Sequence, residues 1–203
     1  MDQILLVALI LVPAVLVVIA LFLVMWREST TPRTITVAIT SGLVLAAWLV
    51  GTSMAALSGF YFPPLSGPPP VGVQLAVALA TLALCLAASP SLRSLLADQK
   101  NLIRLNVWRL VGAVFGALMF TGEVPALWAL PAGLGDVAIG ATAFWVAGRL
   151  DEPGGARRAV AFNLLGLLDL VVAVGLGMTI SPGPTQLVQL TPSGDVLTHF
   201  PLV

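Results

Sequence analysis

The chain alternates between long apolar runs and short polar segments. Six runs are long enough to cross a hydrocarbon core of about 30 Å, which takes about 20 helical residues. They lie near residues 3–26, 34–57, 71–88, 102–121, 125–148 and 159–180. Because the runs are continuous and not alternating, they predict helices, not the strands of a membrane barrel. The pattern therefore predicts an all-α, polytopic bundle of six transmembrane helices, forming a single domain over residues 1–203.

The amino-acid composition indicates that the chain lies in lipid, and it argues against several functions. Hydrophobic residues make up 59% of the 203 positions and charged residues 9%, whereas a soluble domain carries about 25% charge. The main partner is therefore the lipid bilayer. Zero net charge argues against nucleic acid as a partner. One cysteine and one histidine suggest no disulfide, haem or zinc site, so no cofactor and no metal are expected.

The distribution of charge predicts the orientation of the spans. The first run has no basic residue before it and exceeds the length of a signal-peptide core, so it is an uncleaved span with its N-terminus outside. Eight of the nine basic residues lie in alternate loops: Arg27 and Arg33; Arg93, Lys100 and Arg104; Arg149, Arg157 and Arg158. The positive-inside rule makes loops 27–33, 89–104 and 149–158 cytoplasmic, in the inner membrane of a bacterium.

Three connecting segments have distinctive patterns. Residues 58–70 are aromatic and proline-rich, which is typical of an interfacial outer loop, and a ligand lid is the other interpretation. Residues 90–104 repeat leucine at helical spacing, which predicts a short helix on the inner membrane surface that leads into the fourth span. Residues 181–203 are either an outer tail or the start of a truncated or re-entrant seventh element.

Three ionisable residues, Arg109, Asp136 and Asp169, lie inside predicted spans. Each costs about 2.5–3.5 kcal/mol on insertion scales, so each is by default a functional-site hypothesis. Arg109 lies about 10 Å above the inner end of its span at helical rise. It shares a face with Gly112 and Gly116, a small-residue pair that lets a second helix approach closely. The alternative is that Arg109 extends to the inner headgroups.

The two aspartates differ in predicted depth. Asp136 forms a close-packing stripe with Ala132 and Gly140. It lies near the midplane if its helix begins at Pro125, and in the outer third if the helix begins at Pro131. The Pro131–Asp136 stretch also resembles a broken-helix element of transporters, but glycine and proline are common in one span and a tight packing kink explains it better.

Asp169 lies about 16 Å above the inner end of its span, close to the midplane. It steps by three from Gly166 and Asn163, and Asn163 can hydrogen-bond between helices. A single Arg109–Asp169 pair would leave one aspartate without a partner, so that aspartate would carry a proton or bind a cation or a water chain. The alternative is that an Arg–Asp–Asn network only fixes the helix register.

Four short segments carry a resemblance to a family. They are Arg109-xx-Gly112, Pro131-Ala132-Gly133-x-Gly135-Asp136, Asn163-xx-Gly166-Leu167-x-Asp169 and His199-Phe200-Pro201-Leu202-Val203. Together they resemble uncharacterised bacterial multi-pass membrane proteins, over roughly the second half of the chain. The resemblance implies a membrane bundle whose ending continues into another hydrophobic span, and it implies no activity.

The leading functional hypothesis is a transporter-like or ligand-binding protein for a small ion, a proton or a polar solute. Arg109, Asp136, Asn163 and Asp169 would bind it, with Glu123 and His199 as accessory groups. One alternative is a structural or accessory subunit that uses the cluster for helix packing, within a homo-oligomer or a larger membrane complex. The other is a membrane-embedded enzyme that acts on a lipid or a quinone, although no familiar catalytic motif is present.

Overall fold

The computed structural model describes residues 3–61, 70–190 and 192, and its regular structure in that part of the chain is entirely helical. The α-helices are α1 (Gln3–Glu28), α2 (Pro32–Leu57), α3 (Pro70–Ala88), α4 (Pro90–Leu95), α5 (Gln99–Leu105), α6 (Ala113–Phe120), α7 (Ala126–Gly148) and α8 (Gly155–Ile180). A 3₁₀ helix, Asn106–Gly112, joins α5 to α6. The three pieces Gln99–Phe120 form one continuous span, which we call span four.

Six helical segments are long and apolar enough to cross a membrane, as predicted. They are Val7–Glu28, Pro32–Leu57, Pro70–Ala88, span four, Ala126–Gly148 and Gly155–Ile180. Their bounds agree with the predicted runs to within about one helical turn. The all-α fold class is therefore confirmed, and the chain is an integral membrane protein.

The segment that leads into span four was predicted to be one surface helix, and the structure differs from that prediction. It forms two helices, because Ser89 caps α4, the chain turns at Leu96, and Asp98 then caps α5 by accepting a hydrogen bond from the Asn101 amide at 3.0 Å. Leu95 of α4 is fully buried and packs in a cluster with Met25 of α1. The segment is thus part of the bundle and not only a membrane-surface anchor.

The tightest packing lies in the second half of the chain. α7 packs against span four and α8 and has nine buried residues, whereas α3 has none. Two apolar clusters join these three spans. One contains Val114, Leu118, Val124, Trp128, Ala129, Ala132 and Ile180, and the other contains Ile103, Ile139, Ala143, Val146, Ala147, Ala159 and Phe162. Asp136 and Asp169 each lie in sequence between the two clusters on their helices.

Residues 181–190 fold back on the end of α8. The Leu187 amide donates to the Thr179 carbonyl at 2.8 Å, and the Thr185 hydroxyl donates to the Met178 carbonyl at 2.9 Å. No helix begins in this described part of the tail. Most of residues 191–203, and the 62–69 part of the predicted outer loop, lie outside the described residues.

Candidate functional site

α7 runs without interruption from Ala126 through Pro131 to Gly148, with Pro125 as its N-cap. Asp136 is therefore about 15 Å along the helix from Ala126 and about 18 Å from Gly148, at a rise of about 1.5 Å per residue. This central depth agrees with the prediction for a helix that begins at Pro125. The broken-helix interpretation is wrong, because a proline this close to the helix start removes only one backbone hydrogen bond.

Arg109 lies in the 3₁₀ helix in the middle of span four. Runs of 3₁₀ helix longer than three or four residues are uncommon, and such a stretch inside a helix often marks a hinge or strain. With a rise of about 2.0 Å in the 3₁₀ part and about 1.5 Å in α5, Arg109 lies about 17 Å from Gln99. The expected height of about 10 Å was too low, because the span begins earlier than predicted and stretches locally.

The guanidinium of Arg109 bridges both aspartates. Its Nε donates to Asp136 Oδ1 at 2.6 Å, its Nη2 pairs with Asp169 Oδ2, and its Nη1 donates to the Gly166 carbonyl at 3.3 Å. The three charged side chains are only 12%, 18% and 9% exposed, in the order Arg109, Asp136, Asp169. We call these three residues the triad.

Two sequence-based alternatives are wrong as a result. Arg109 does not extend to the inner headgroups, because its donors are taken up by groups on α7 and α8. The single Arg109–Asp169 pair is also wrong, since the fork of the guanidinium reaches both carboxylates. The charge count nevertheless stands, with one positive and two negative groups and therefore one excess negative charge.

Each charged side chain of the triad packs against a glycine of a neighbouring span. Asp136 of α7 packs on span four, Asp169 of α8 packs on α7, and Arg109 of span four packs on α8. A Cβ on Gly112 of span four would lie 2.9 Å from Asp136 Oδ2. A Cβ on Gly135 of α7 would lie 2.5 Å from Asp169 Cγ, and one on Gly166 of α8 would lie 3.2 Å from Arg109 Nη1. The three glycines therefore provide the space that the charged groups occupy.

The other small residues only partly follow the predicted stripes. The α7 stripe is confirmed, because Ala132 and Gly140 are buried, and a Cβ on Gly140 would lie 2.8 Å from the Leu110 amide nitrogen. Gly116 is different, since nothing lies within 4 Å of its Cβ position. α6 buries Val114 and Leu118 instead, and residues two positions from Gly116 point about 200° away from it on an α-helix.

The remaining predicted site residues lie apart from the triad. Asn163 is exposed, and its side chain makes no hydrogen bond to the described part of the chain. Its six-residue separation from Asp169 turns it by about 120° around α8, so the two do not share a contact face. Glu123 lies in the turn after α6 and accepts a hydrogen bond from the Thr121 hydroxyl at 3.0 Å. His199 lies outside the described residues.

Sequence reasoning missed two contacts that tie the spans together. The Trp128 indole donates to the Ala173 carbonyl of α8 at 2.9 Å, and its ring packs on Phe115 with centroids 4.8 Å apart. Gly135 and Gly166 were also not identified from the sequence as positions where a charged side chain packs against the helix backbone. The available signal was their spacing, since Gly135 directly precedes one aspartate and Gly166 is one turn before the other.

The structure also bears on metal and lipid chemistry. Within residues 3–61, 70–190 and 192, no group of three or more His, Cys, Asp or Glu side chains is arranged to hold a metal ion. A largely apolar groove of about 800 Å³ lies between α2 and α3, with Trp48, Thr52 and Tyr61 in its wall. It does not include the aspartates of α7 and α8, so it gives no support to an enzyme that uses them on a lipid.

Comparison with known proteins gives a family and no activity. No match was found among curated proteins or among solved structures. A family model described as a domain of unknown function (DUF8737) matches residues 68–200, a range that contains the whole triad and its three glycines. Since this range is more than half of the 203 residues, the chain belongs to the DUF8737 family.

Proposed function

We propose that this protein is a transporter-like membrane protein in which the triad handles a small ion, a proton or a polar solute. The observation that carries the proposal is the meeting of Arg109, Asp136 and Asp169, from three different spans, with one excess negative charge. All three residues lie near the middle of helices that are long and apolar enough to cross a bilayer. Ionisable groups at such depth commonly mark ion and proton pathways.

The unequal number of charges supports a role beyond packing. One arginine and one aspartate would give a neutral pair between two helices, and neutral polar contacts already join membrane helices at about 0.6 kcal/mol each. A second aspartate adds an insertion cost of about 2.5–3.5 kcal/mol. A cost of this size is easier to understand if the surplus charge attracts a cationic species.

One specific observation favours the second hypothesis, an accessory subunit that uses the triad to fix helix register. The packing of the triad against Gly112, Gly135 and Gly166 defines one alignment of the three spans, and buried polar groups can specify alignment in this way. The two hypotheses make different predictions about a neutral triad. Transport requires a titratable or cation-binding aspartate, whereas alignment needs only groups of the same shape that can hydrogen-bond.

The experiment is a flux assay in proteoliposomes that contain the full chain. An imposed pH gradient or cation gradient is expected to dissipate faster than in protein-free vesicles, and Asp169→Asn should abolish the difference. Asp151→Asn is the matched control, because Asp151 is exposed in the turn before α8 and pairs with Lys100 at 2.6 Å, away from the triad. Equal leakage in wild-type and empty vesicles, for protons, Na⁺ and K⁺ alike, would refute transport of a proton or a monovalent cation.

The orientation belongs to the same proposal. The N-terminus would lie outside and the loops 27–33, 89–104 and 149–158 in the cytoplasm of a bacterial cell, as the basic residues indicate. The Lys100–Asp151 pair supports this arrangement, because it joins two of these loops on one side of the bundle. A homo-oligomer, and a seventh span after residue 203, stay predictions.

A further inference from the structure

We propose that the species bound by the triad is a single proton, which Asp136 and Asp169 hold as a pair beside the fixed positive charge of Arg109. This inference rests on the proposed function and narrows it to one class of substrate. It has three supports, which are the charge balance, the space around the carboxylates and the one oxygen of each carboxylate that accepts no hydrogen bond.

The charge balance calls for one positive charge. The elements packed around the triad are α1, span four, α7 and α8. Their other ionisable groups in the described residues lie toward the helix ends: Arg27 and Glu28 of α1, Lys100 and Arg104 of α5, and Arg157 and Arg158 of α8. None of these forms an ion pair or hydrogen bond with the triad. One proton would therefore make the triad neutral.

The space around the carboxylates disfavours a divalent metal ion. The guanidinium of Arg109 fills the gap between the two aspartates. The second oxygen of each carboxylate lies against a glycine, with Asp136 Oδ2 at Gly112 and Asp169 Oδ1 at Gly135. Ca²⁺ takes about 6–8 oxygen ligands and Mg²⁺ is octahedral, and no third acidic side chain is present among the described residues around the triad. A proton needs only one oxygen lone pair.

Each carboxylate of the triad keeps one oxygen that can accept a proton. Neither Asp136 Oδ2 nor Asp169 Oδ1 accepts a hydrogen bond in the described part of the chain. A hydronium ion can transfer its proton to one of these oxygens and leave a water molecule. The other oxygen of that carboxyl group keeps its bond to Arg109.

The two aspartates are expected to titrate together. They share one guanidinium, so protonation of either one changes the charge that the other experiences. The bound proton therefore belongs to the pair and not to one residue. Release of the proton restores the surplus negative charge, and that charge attracts the next proton.

The test is infrared difference spectroscopy of the full chain in lipid nanodiscs, as a function of pH. The wild type should show the carbonyl stretch of one protonated carboxyl group that shifts in D₂O and disappears as the pH rises. Asp136→Asn and Asp169→Asn should each remove this titration, whereas Asp151→Asn should keep it. Asparagine has the shape of a neutral aspartic acid, so both single variants should fold with an unchanged helical circular dichroism spectrum.

Three results would overturn the inference. They are ionised carboxylates in the wild type at every accessible pH, a carboxyl band that survives in both triad variants, and a titration midpoint that moves with Na⁺ or Ca²⁺ concentration. Failure of the broader function looks different, because the band would titrate as expected while proteoliposomes carried no flux. Flux of a metal cation without the band would leave the function standing and reject the proton.

Discussion

Replacement of Gly135 by alanine tests whether the Asp169 side chain packs directly against Gly135. The new Cβ would lie 2.5 Å from Asp169 Cγ, whereas non-bonded carbons prefer about 3.5–4.0 Å. Asp169 must therefore move by about 1 Å or more. Because its side chain is short and α8 is packed on α7, such a movement breaks the pair with Arg109.

The expected loss of stability is about 2–4 kcal/mol. Breaking a buried ion pair costs about 3–5 kcal/mol, and alanine regains about 1 kcal/mol over glycine inside a helix. Gly116→Ala is the matched control, since nothing lies within 4 Å of its Cβ position. That variant should be unchanged or up to about 1 kcal/mol more stable.

The assay is equilibrium unfolding of the purified chain in mixed micelles, followed by far-ultraviolet circular dichroism. The double variant Gly135→Ala/Asp169→Ala adds a second control, because it removes the carboxylate that collides with the new methyl group. It should be more stable than the sum of the two single changes predicts. Equal stability of Gly135→Ala and Gly116→Ala would refute the close packing of Asp169 against Gly135.

Four further predictions concern other parts of the molecule. Arg109→Lys should cost about 1–3 kcal/mol in the same assay, because a lysine ammonium cannot reproduce a guanidinium fork that bridges two carboxylates. Trp128→Phe should cost about 1 kcal/mol, because it removes one hydrogen bond to a backbone carbonyl of α8. Burial raises the pKa of Tyr61 above its ordinary 10.0. The contribution of Tyr61 to stability should therefore be constant below that pH and fall as the pH rises beyond it. Tyr61 is the one tyrosine, so tyrosinate absorbance reports it directly. Ser29→Cys in a Cys85→Ala background should react with a membrane-impermeant maleimide only from the cytoplasmic side, and labelling from outside would reverse the proposed orientation.

The six spans were predictable because bilayer thickness imposes a length that is visible in the sequence. The break between α4 and α5 was harder to predict from the sequence. Asp98 is a good helix cap, but it lies in a leucine pattern that continues at helical spacing, and the cap determines where the new helix begins. The local signal was present, and it was outweighed by the longer periodicity.

The triad was predictable in its membership and not in its geometry. Arg109, Asp136 and Asp169 are conspicuous because charge is rare inside apolar runs. Arg109 lies in the 3₁₀ helix Asn106–Gly112, and the sequence of that segment carries no clear signature of the 3₁₀ conformation. Asn163 was placed on the face of Asp169 by steps of three residues, but each such step drifts by about 60° around an α-helix. Asn163 therefore lies apart from the triad, and its role stays a prediction.

The glycines show what a single sequence can and cannot reveal. Gly112 was recognised as a site of close backbone approach, and its backbone carbonyl does lie against Gly133 of α7, where an added Cβ would be 2.9 Å away. The side chain of Asp136, which lies over Gly112 itself, was not foreseen. A glycine in a span allows several kinds of close contact. Which contact forms depends on how three helices rotate against each other, and that rotation is set by the whole interface.

The most direct test of a functional triad compares flux and stability in the same protein, Asp169→Asn. Asparagine keeps the shape of the side chain and removes the charge that a proton would neutralise. The variant should retain the wild-type free energy of unfolding to within about 1 kcal/mol, since the neutral group still accepts a hydrogen bond from Arg109. Its pH-driven flux in proteoliposomes should be lost. Wild-type flux through the stably folded variant would contradict a functional triad.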